Sequence, residues 1–166
     1  GERSSLTVQS LGDGSRLRGN RDALFGAFQN LVNNAIEACE DTLKLNIRVS
    51  HTNDNMIVFS FDDNGCGISD DIKDRVLEPF FTTRRNGTGL GLAVVNATVS
   101  SFNGRFDIHS APGEGSCFTI TLPLSTGNQI LPSEITNGVS HRLGLKNRSI
   151  SVAESIEFYH QKEVNV

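Results

Sequence analysis

Alternating apolar and polar positions predict short β-strands along the first 124 residues of the chain. The strands form three pairs: Leu6–Leu11 with Arg16–Arg18, Leu45–His51 with Met56–Asp62, and Arg105–Ser110 with Cys117–Leu124. Strict alternation is typical of strands that bury one face. Each pair flanks a segment rich in turn-forming residues, namely GDGS, HTNDN and APGEGS. We therefore expect three pairs of neighbouring strands, with hairpins at the first and the last.

Apolar residues three and four positions apart predict helices between these strands. The longest is expected from about Arg21 to Glu40, with Asn20 as its N-cap. Five residues form its apolar face: Leu24, Phe28, Leu31, Ala35 and Ala38. A short helix should follow Ser69, and a third should run from about Gly89 to Phe102. This order of elements predicts an α+β fold in which helices cover one face of a sheet.

The composition of the chain changes after Pro123. Residues 125–147 are polar and turn-rich with few large apolar side chains, and only Val152–Val164 has the pattern of a short helix. We therefore expect one domain over residues 1–124 and a polar, partly disordered C-terminal tail over residues 125–166.

Charge and cysteine content exclude several classes of protein. A net charge of -4 disfavours a nucleic-acid-binding surface, and no apolar run is long enough to span a membrane. No signal peptide opens the chain. Because its first residue is Gly and not Met, we expect a fragment or a processed chain. The three cysteines lack CxxC spacing, as is typical of reduced thiols in a cytoplasmic protein. The four histidines have no partner at metal-ligand spacing, so we expect no transition metal.

A polar stripe crosses the long predicted helix. At 100° per residue Asn30 and Asn34 lie on one line, which Glu37 continues. Small residues border it, namely Ala23, Gly26 and Ala27. One interpretation is a solvated helix face. The alternative is that an amide oxygen meets a hard cation such as Mg²⁺, which takes oxygen ligands and bridges phosphates.

A carboxylate ends the apolar row of the strand before DNGCG. Asp63 shares a strand face with Ile57, Phe59 and Phe61, where its burial is costly unless a group donates to it. An amino group on a flat ring would suit, and Gly65 and Gly67 would let the chain bend around such a ring. The alternative is an ordinary Asp-Asn-Gly turn.

The segment EPFFTTRRNGTGLGL places a basic, glycine-rich loop before a helix. The amides of Gly87, Gly89 and Gly91 and the helix dipole favour an anion, which Arg84 or Arg85 could contact. The spacing matches neither GxxxxGK[ST] nor GxGxxG. The alternative is a loop that is merely flexible.

Five motifs together resemble the ATP-binding catalytic domain of sensor histidine kinases, within the group that includes gyrase, Hsp90 and the mismatch-repair MutL proteins. They are the Asn-rich helix, DNGCG, PFFTTR, GTGLGL and PGEGSCFTITLP, and the resemblance covers about Leu6–Leu124. NLVNNAIEA and PFFTTR are similar to the nitrogen-regulation and flagellar-regulation kinases. The resemblance implies a Bergerat fold, a two-layer α/β sandwich whose mixed sheet is covered on one face by about three helices.

The resemblance also implies roles for individual residues. Asn34 would be the Mg²⁺ ligand, Asp63 would take the adenine amino group, and Thr82–Thr88 would be the mobile lid over ATP. Asn30 and Arg84 would be catalytic, with Arg84 standing where many relatives have Lys. The implied nucleotide contacts are Asn30, Asn34, Asp63, Gly65, Gly67, Phe80, Thr83, Arg84, Gly87, Thr88, Gly89, Leu90, Gly91 and Leu92. Phe81 would complete the aromatic box with Phe80.

The function implied is ATP- and Mg²⁺-dependent transfer of the γ-phosphate to a histidine on a separate dimerisation domain. No histidine of this chain has the flanking residues of an acceptor, so we expect no autophosphorylation by the chain alone. The implied partners are that domain, as a homodimer, and a response regulator. The alternatives are an ATPase of the same group, a nucleotide-binding pseudokinase and a serine kinase. Asn30 argues against the ATPase, because hydrolytic relatives have Glu at that place as the general base. Glu37 departs from the pattern, since many relatives have Lys or Arg there.

Overall fold

The computed structural model describes residues 5–10, 17–39, 42–85 and 87–124. Within these residues there are five strands: β1 (Ser5–Ser10), β2 (Lys44–His51), β3 (Met56–Asp63), β4 (Arg105–Ala111) and β5 (Gly115–Pro123). Three helices accompany them: α1 (Arg21–Ala38), α2 (Asp70–Lys73) and α3 (Gly91–Ser101). None of these helices is both long and apolar enough to cross a membrane. The predicted tail, including the helix expected at Val152–Val164, lies outside the described residues.

The strands form one sheet in the order β1-β2-β3-β5-β4. The pair β1 and β2 is parallel and the other pairs are antiparallel, so the sheet is mixed. Its inner face is apolar because every second residue of β3 and β5 is buried. Phe28 of α1 packs on this face, with ring centroids 4.9 Å from Phe59 and 5.3 Å from Phe61. Val95 and Val99 of α3 join the same core. The predicted α+β two-layer sandwich is confirmed.

The first predicted hairpin is wrong in its pairing. The first strand lies at the edge of the sheet and pairs in parallel with β2, with Leu6 opposite Leu45 and Val8 opposite Ile47. Leu17 is a single bridge residue, and a strand over Arg16–Arg18 does not form in the described part of this segment. Parallel strands need a crossover connection, which α1 supplies. Alternation alone could not distinguish this arrangement from a hairpin.

The other predicted elements agree with the structure to within a few residues. Asn20 is the N-cap of α1, and its side-chain oxygen accepts a hydrogen bond of 3.0 Å from the backbone N–H of Ala23. The third helix begins at Gly91 instead of Gly89, because Gly89 has a φ of 66° that an α-helix cannot include. The short helix α2 has four residues and buries none of them.

Candidate functional site

A cavity of about 630 Å³ lies between α1, the end of β3 and the loop that leads into α3. It brings together most of the predicted site residues: Asn30, Asn34, Asp63, Gly67, Thr83, Arg84, Gly87, Thr88, Gly89, Gly91 and Leu92. Three predicted residues do not line it, namely Gly65, Phe80 and Leu90. A helix, a strand end and a loop that are far apart in the chain therefore surround one space.

Asp63 lies at the buried end of the cavity. Its side chain is only 9% exposed, and its Oδ1 accepts hydrogen bonds from the backbone N–H groups of Gly65 (2.8 Å) and Ser116 (3.3 Å). Burial raises the pKa of this carboxyl above its ordinary value, and the two backbone hydrogen bonds oppose part of that rise. Both bonds use Oδ1, and no described residue donates to Oδ2, which leaves that oxygen for a donor on a ligand.

Glycines allow the DNGCG loop to pack closely behind Asp63. Gly67 has a φ of 72°, and a Cβ atom there would lie 1.9 Å from the carbonyl oxygen of Ala111. A Cβ atom on Gly65 would lie 2.6 Å from that of Ala38, so Gly65 packs against α1 and away from the cavity. The N–H of Cys66 donates to the Ala38 carbonyl at 2.9 Å, which joins the loop to the end of α1. The loop therefore fixes the position of Asp63.

Asn30 and Asn34 face the first residue of α3. The Asn30 amide nitrogen donates to the carbonyl of Gly91 at 3.4 Å, and a Cβ atom on Gly91 would lie 3.9 Å from the Asn34 amide. The Asn34 amide nitrogen is buried without a partner among the described residues. An unpaired buried polar atom is costly, and amide nitrogen and oxygen exchange places when the group rotates. The Asn34 amide therefore fits a ligand or a hard cation at this point.

Part of the cavity lining is apolar. Ile68, Ile72 and Val76 line the cavity from one side, and Phe118 of β5 contributes from the sheet. The sequence pattern did not indicate Ile68 or Phe118 as parts of the site. Phe118 follows the alternation of β5, and Ile68 is one of the apolar residues after DNGCG. Core residues show the same patterns, so neither pattern distinguishes a site residue from a core residue.

The two phenylalanines of PFFTTR have different surroundings. Phe81 lines the cavity, and the Arg75 guanidinium lies 4.3 Å from its ring centroid. Phe80 is 75% exposed with a φ of 69°, and its N–H donates to the Gly89 carbonyl at 2.8 Å. Phe80 therefore joins the two ends of the loop through its backbone, while its ring points away from the cavity.

The described residues of the loop that leads into α3 line the cavity: Thr82, Thr83, Arg84, Gly87 and Thr88. Arg84 lies beside Asn34, and this part of the cavity is its polar end. The backbone N–H of Arg84 donates to the Thr82 hydroxyl at 3.1 Å. The Arg84 guanidinium forms an ion pair with Glu37 of α1 and donates to the backbone carbonyl of Asn34 at 3.3 Å. The sequence did not indicate the contact with Glu37, because 47 residues separate the two positions.

The lining of the cavity thus combines a buried hydrogen-bond acceptor, apolar side chains, and a group of amides with a guanidinium. The first turn of α3 has backbone N–H groups without partners inside the helix, and they favour an anion near Gly91. This arrangement suits a flat apolar ring that carries an N–H donor and is linked to an anionic group.

Comparison with known proteins agrees with this geometry. The family described as "Histidine kinase-, DNA gyrase B-, and HSP90-like ATPase" matches residues 19–126. The sensor protein kinase FleS of Pseudomonas aeruginosa is 45% identical over 111 residues, which are 67% of this chain and 27% of FleS. The signal transduction histidine-protein kinase AtoS of Escherichia coli is 35% identical over 116 residues, which are 69% of this chain and 19% of AtoS. The chain therefore spans less than a third of the length of either relative.

A solved structure has the same fold. Full-length ShkA in complex with AMPPNP superposes with a TM-score of 0.65 at 24% identity, over 74% of this chain and 26% of ShkA.

Proposed function

The chain belongs to the family of histidine kinase-, DNA gyrase B- and HSP90-like ATPases, and from this premise we propose that it transfers the γ-phosphate of ATP to a histidine as the catalytic domain of a two-component sensor kinase. The observation that carries the proposal is the cavity itself, whose lining combines Asp63 with Asn30, Asn34 and Arg84.

In this proposal Asp63 selects the nucleotide. Its free Oδ2 accepts the exocyclic amino group of adenine, and the ring lies against the apolar side chains of Ile68, Ile72 and Val76. A buried acceptor discriminates strongly against a base that presents a carbonyl at that place, because two acceptors would then face each other. The described residues thus favour ATP over GTP.

The phosphates occupy the polar end of the cavity. The backbone N–H groups at the start of α3 and the Arg84 guanidinium donate hydrogen bonds to the phosphate oxygens and stabilise their negative charge. Asn34 would hold Mg²⁺ through its side-chain oxygen. Bound Mg²⁺ would neutralise charge that develops on the phosphate oxygens. Catalysis by this chain then consists of orienting the γ-phosphate and stabilising its charge.

Asn30 favours phosphate transfer over hydrolysis. An amide cannot take a proton at neutral pH, so Asn30 cannot activate a water molecule as a general base. Its amide nitrogen instead donates to the carbonyl of Gly91. The γ-phosphate is thus transferred to a histidine of a separate dimerisation domain, which forms a homodimer. From that histidine the phosphate passes to a response regulator.

We propose a cytoplasmic location for the catalytic domain that this chain forms.

The first test is calorimetric titration of the chain with AMPPNP, with and without Mg²⁺. We expect Mg²⁺-dependent binding that Asp63→Asn weakens at least about tenfold, or about 1.4 kcal/mol. Asp62→Asn is the matched control, because Asp62 lies on the outer face of β3 and pairs with Arg48 at 2.6 Å. No binding by the unmodified chain, or equal losses in both variants, would exclude the proposed pocket.

The second test separates transfer from its alternatives. The chain is mixed with labelled ATP and with a separately expressed histidine-bearing domain of a related kinase. We expect acid-labile phosphate on that domain and little release of free phosphate. Release of free phosphate without the added domain would identify an ATPase. An acid-stable phosphorylated product would identify a serine kinase, and ATP binding without any transfer would identify a pseudokinase.

A further inference from the structure

Arg84 joins the loop to α1 through two groups one helical turn apart. Its guanidinium pairs with the Glu37 carboxylate and donates to the backbone carbonyl of Asn34 at 3.3 Å. Within the loop, the Thr82 hydroxyl accepts from the Arg84 N–H at 3.1 Å, and the Arg84 carbonyl accepts from the Gly87 N–H at 3.2 Å. The guanidinium therefore has a defined place at the polar end of the cavity.

Glu37 would be unfavourable at this place without its partner. Its carboxylate lines the same cavity as Asn34 and Gly91, at the end that accepts anions, and would repel a phosphate there. The ion pair with Arg84 cancels this charge. A guanidinium has five N–H donors, of which Glu37 and Asn34 use two, so about three remain for a further acceptor.

We propose that Glu37 is a positioning residue that holds the Arg84 guanidinium beside Asn34, where its remaining donors bind the terminal phosphate of the nucleotide. The inference rests on the proposed function, since it names ATP as the ligand. An arginine that is already oriented loses less side-chain entropy when it binds phosphate than one that moves freely. Glu37 acts only through Arg84, so its effect on binding should depend on whether Arg84 is present.

A double-mutant cycle tests this dependence through the affinity for AMPPNP with Mg²⁺. Glu37→Gln should weaken binding about threefold to tenfold, because it releases Arg84. In an Arg84→Gln background the same substitution should strengthen binding, because it then removes an unpaired negative charge from the cavity. This reversal of sign is not expected from a purely structural role of Glu37.

Three outcomes of the cycle would overturn the inference. Tighter binding by Glu37→Gln with Arg84 present would mean that the ion pair obstructs the nucleotide. Equal weakening in both backgrounds would mean that Glu37 acts independently of Arg84. Unchanged affinity in both would mean that Glu37 has no part in binding.

Hydrogen exchange of the nucleotide-free chain tests the contact without a ligand. Glu37→Gln and Arg84→Gln should each speed exchange in peptides that cover residues 82–88 several-fold. The control is Asp107→Asn, which removes the exposed ion pair of Asp107 with Arg105 on β4, away from the cavity. Unchanged exchange of these peptides in both Glu37→Gln and Arg84→Gln would overturn the inference. If the unmodified chain binds no nucleotide, the proposed function fails, while exchange still reports whether Glu37 holds the loop.

Discussion

The Oδ1 atom of Asp63 accepts a hydrogen bond of 2.8 Å from the backbone N–H of Gly65, two residues further along the chain. This bond partly compensates the burial of a carboxylate at the end of the apolar row of β3. It also orients the carboxylate so that Oδ2 is left for a ligand. The DNGCG loop thus both shapes the site and reduces the free-energy cost of burying Asp63 in the folded protein.

Asp63 should lower the stability of the ligand-free protein as the pH rises. Burial raises its pKa in the folded state, so the folded protein holds this proton at pH values where the unfolded chain has released it. The contribution of Asp63 to stability is therefore complete below its ordinary pKa and is lost as the pH rises through its raised, folded-state pKa.

Urea unfolding over a series of acidic pH values checks this prediction. The free energy of unfolding of the unmodified chain should fall with rising pH relative to that of Asp63→Asn, which has no proton to release. An amide oxygen can still accept from Gly65 and Ser116, so the variant should fold. A difference that is constant, or that grows in favour of Asp63, would contradict the prediction.

Gly89 and Gly91 should differ sharply in their tolerance of alanine. Gly89 has a φ of 66°, and its Cβ would lie 2.4 Å from the backbone of Phe80. We expect Gly89→Ala to cost at least about 1–2 kcal/mol from the left-handed conformation alone. Gly91 begins α3, and its Cβ would meet atoms only at 3.9 Å and beyond. Gly91→Ala should therefore keep the unfolding midpoint, and equal losses in the two variants would contradict this.

Phe61 should be among the costliest core residues to truncate. It is 2% exposed, and its ring centroid lies 5.3 Å from that of Phe28 on α1. We expect Phe61→Ala to lower the free energy of unfolding by about 3–5 kcal/mol. Val58→Ala on the outer face of the same strand is the control and should cost much less, because Val58 is only partly buried. Similar losses would mean that the sheet does not bury its inner face as described.

Asn34 should contribute to binding but not to folding. Its amide nitrogen is buried without a partner among the described residues, so removing the amide relieves an unsatisfied group. Asn34→Ala should keep or raise the free energy of unfolding and abolish the difference between AMPPNP affinities measured with Mg²⁺ and with EDTA. A strongly destabilised variant, or one that still responds to Mg²⁺, would contradict this assignment.

Several features of the fold could be predicted because their causes are local. Alternation located β3 and β5, and the capping side chain of Asn20 located the start of α1. Asp63 was expected on the apolar face because side chains alternate along a strand, and it is buried there. The resemblance to sensor histidine kinases was specific because several short motifs occur in one order, and membership of the family is confirmed. The nucleotide contacts of single residues stay predictions.

The amino-acid sequence by itself determined the bounds of most elements, the apolar row that ends at Asp63 and the family of the chain, because periodicity, capping and motif order depend on neighbouring residues. Only the tertiary structure decided that β1 pairs in parallel with β2, that Phe81 lines the cavity in place of Phe80, and that Glu37 holds Arg84. Each of these depends on contacts between distant segments. Such contacts form when the helices pack on the sheet, and local patterns do not encode them.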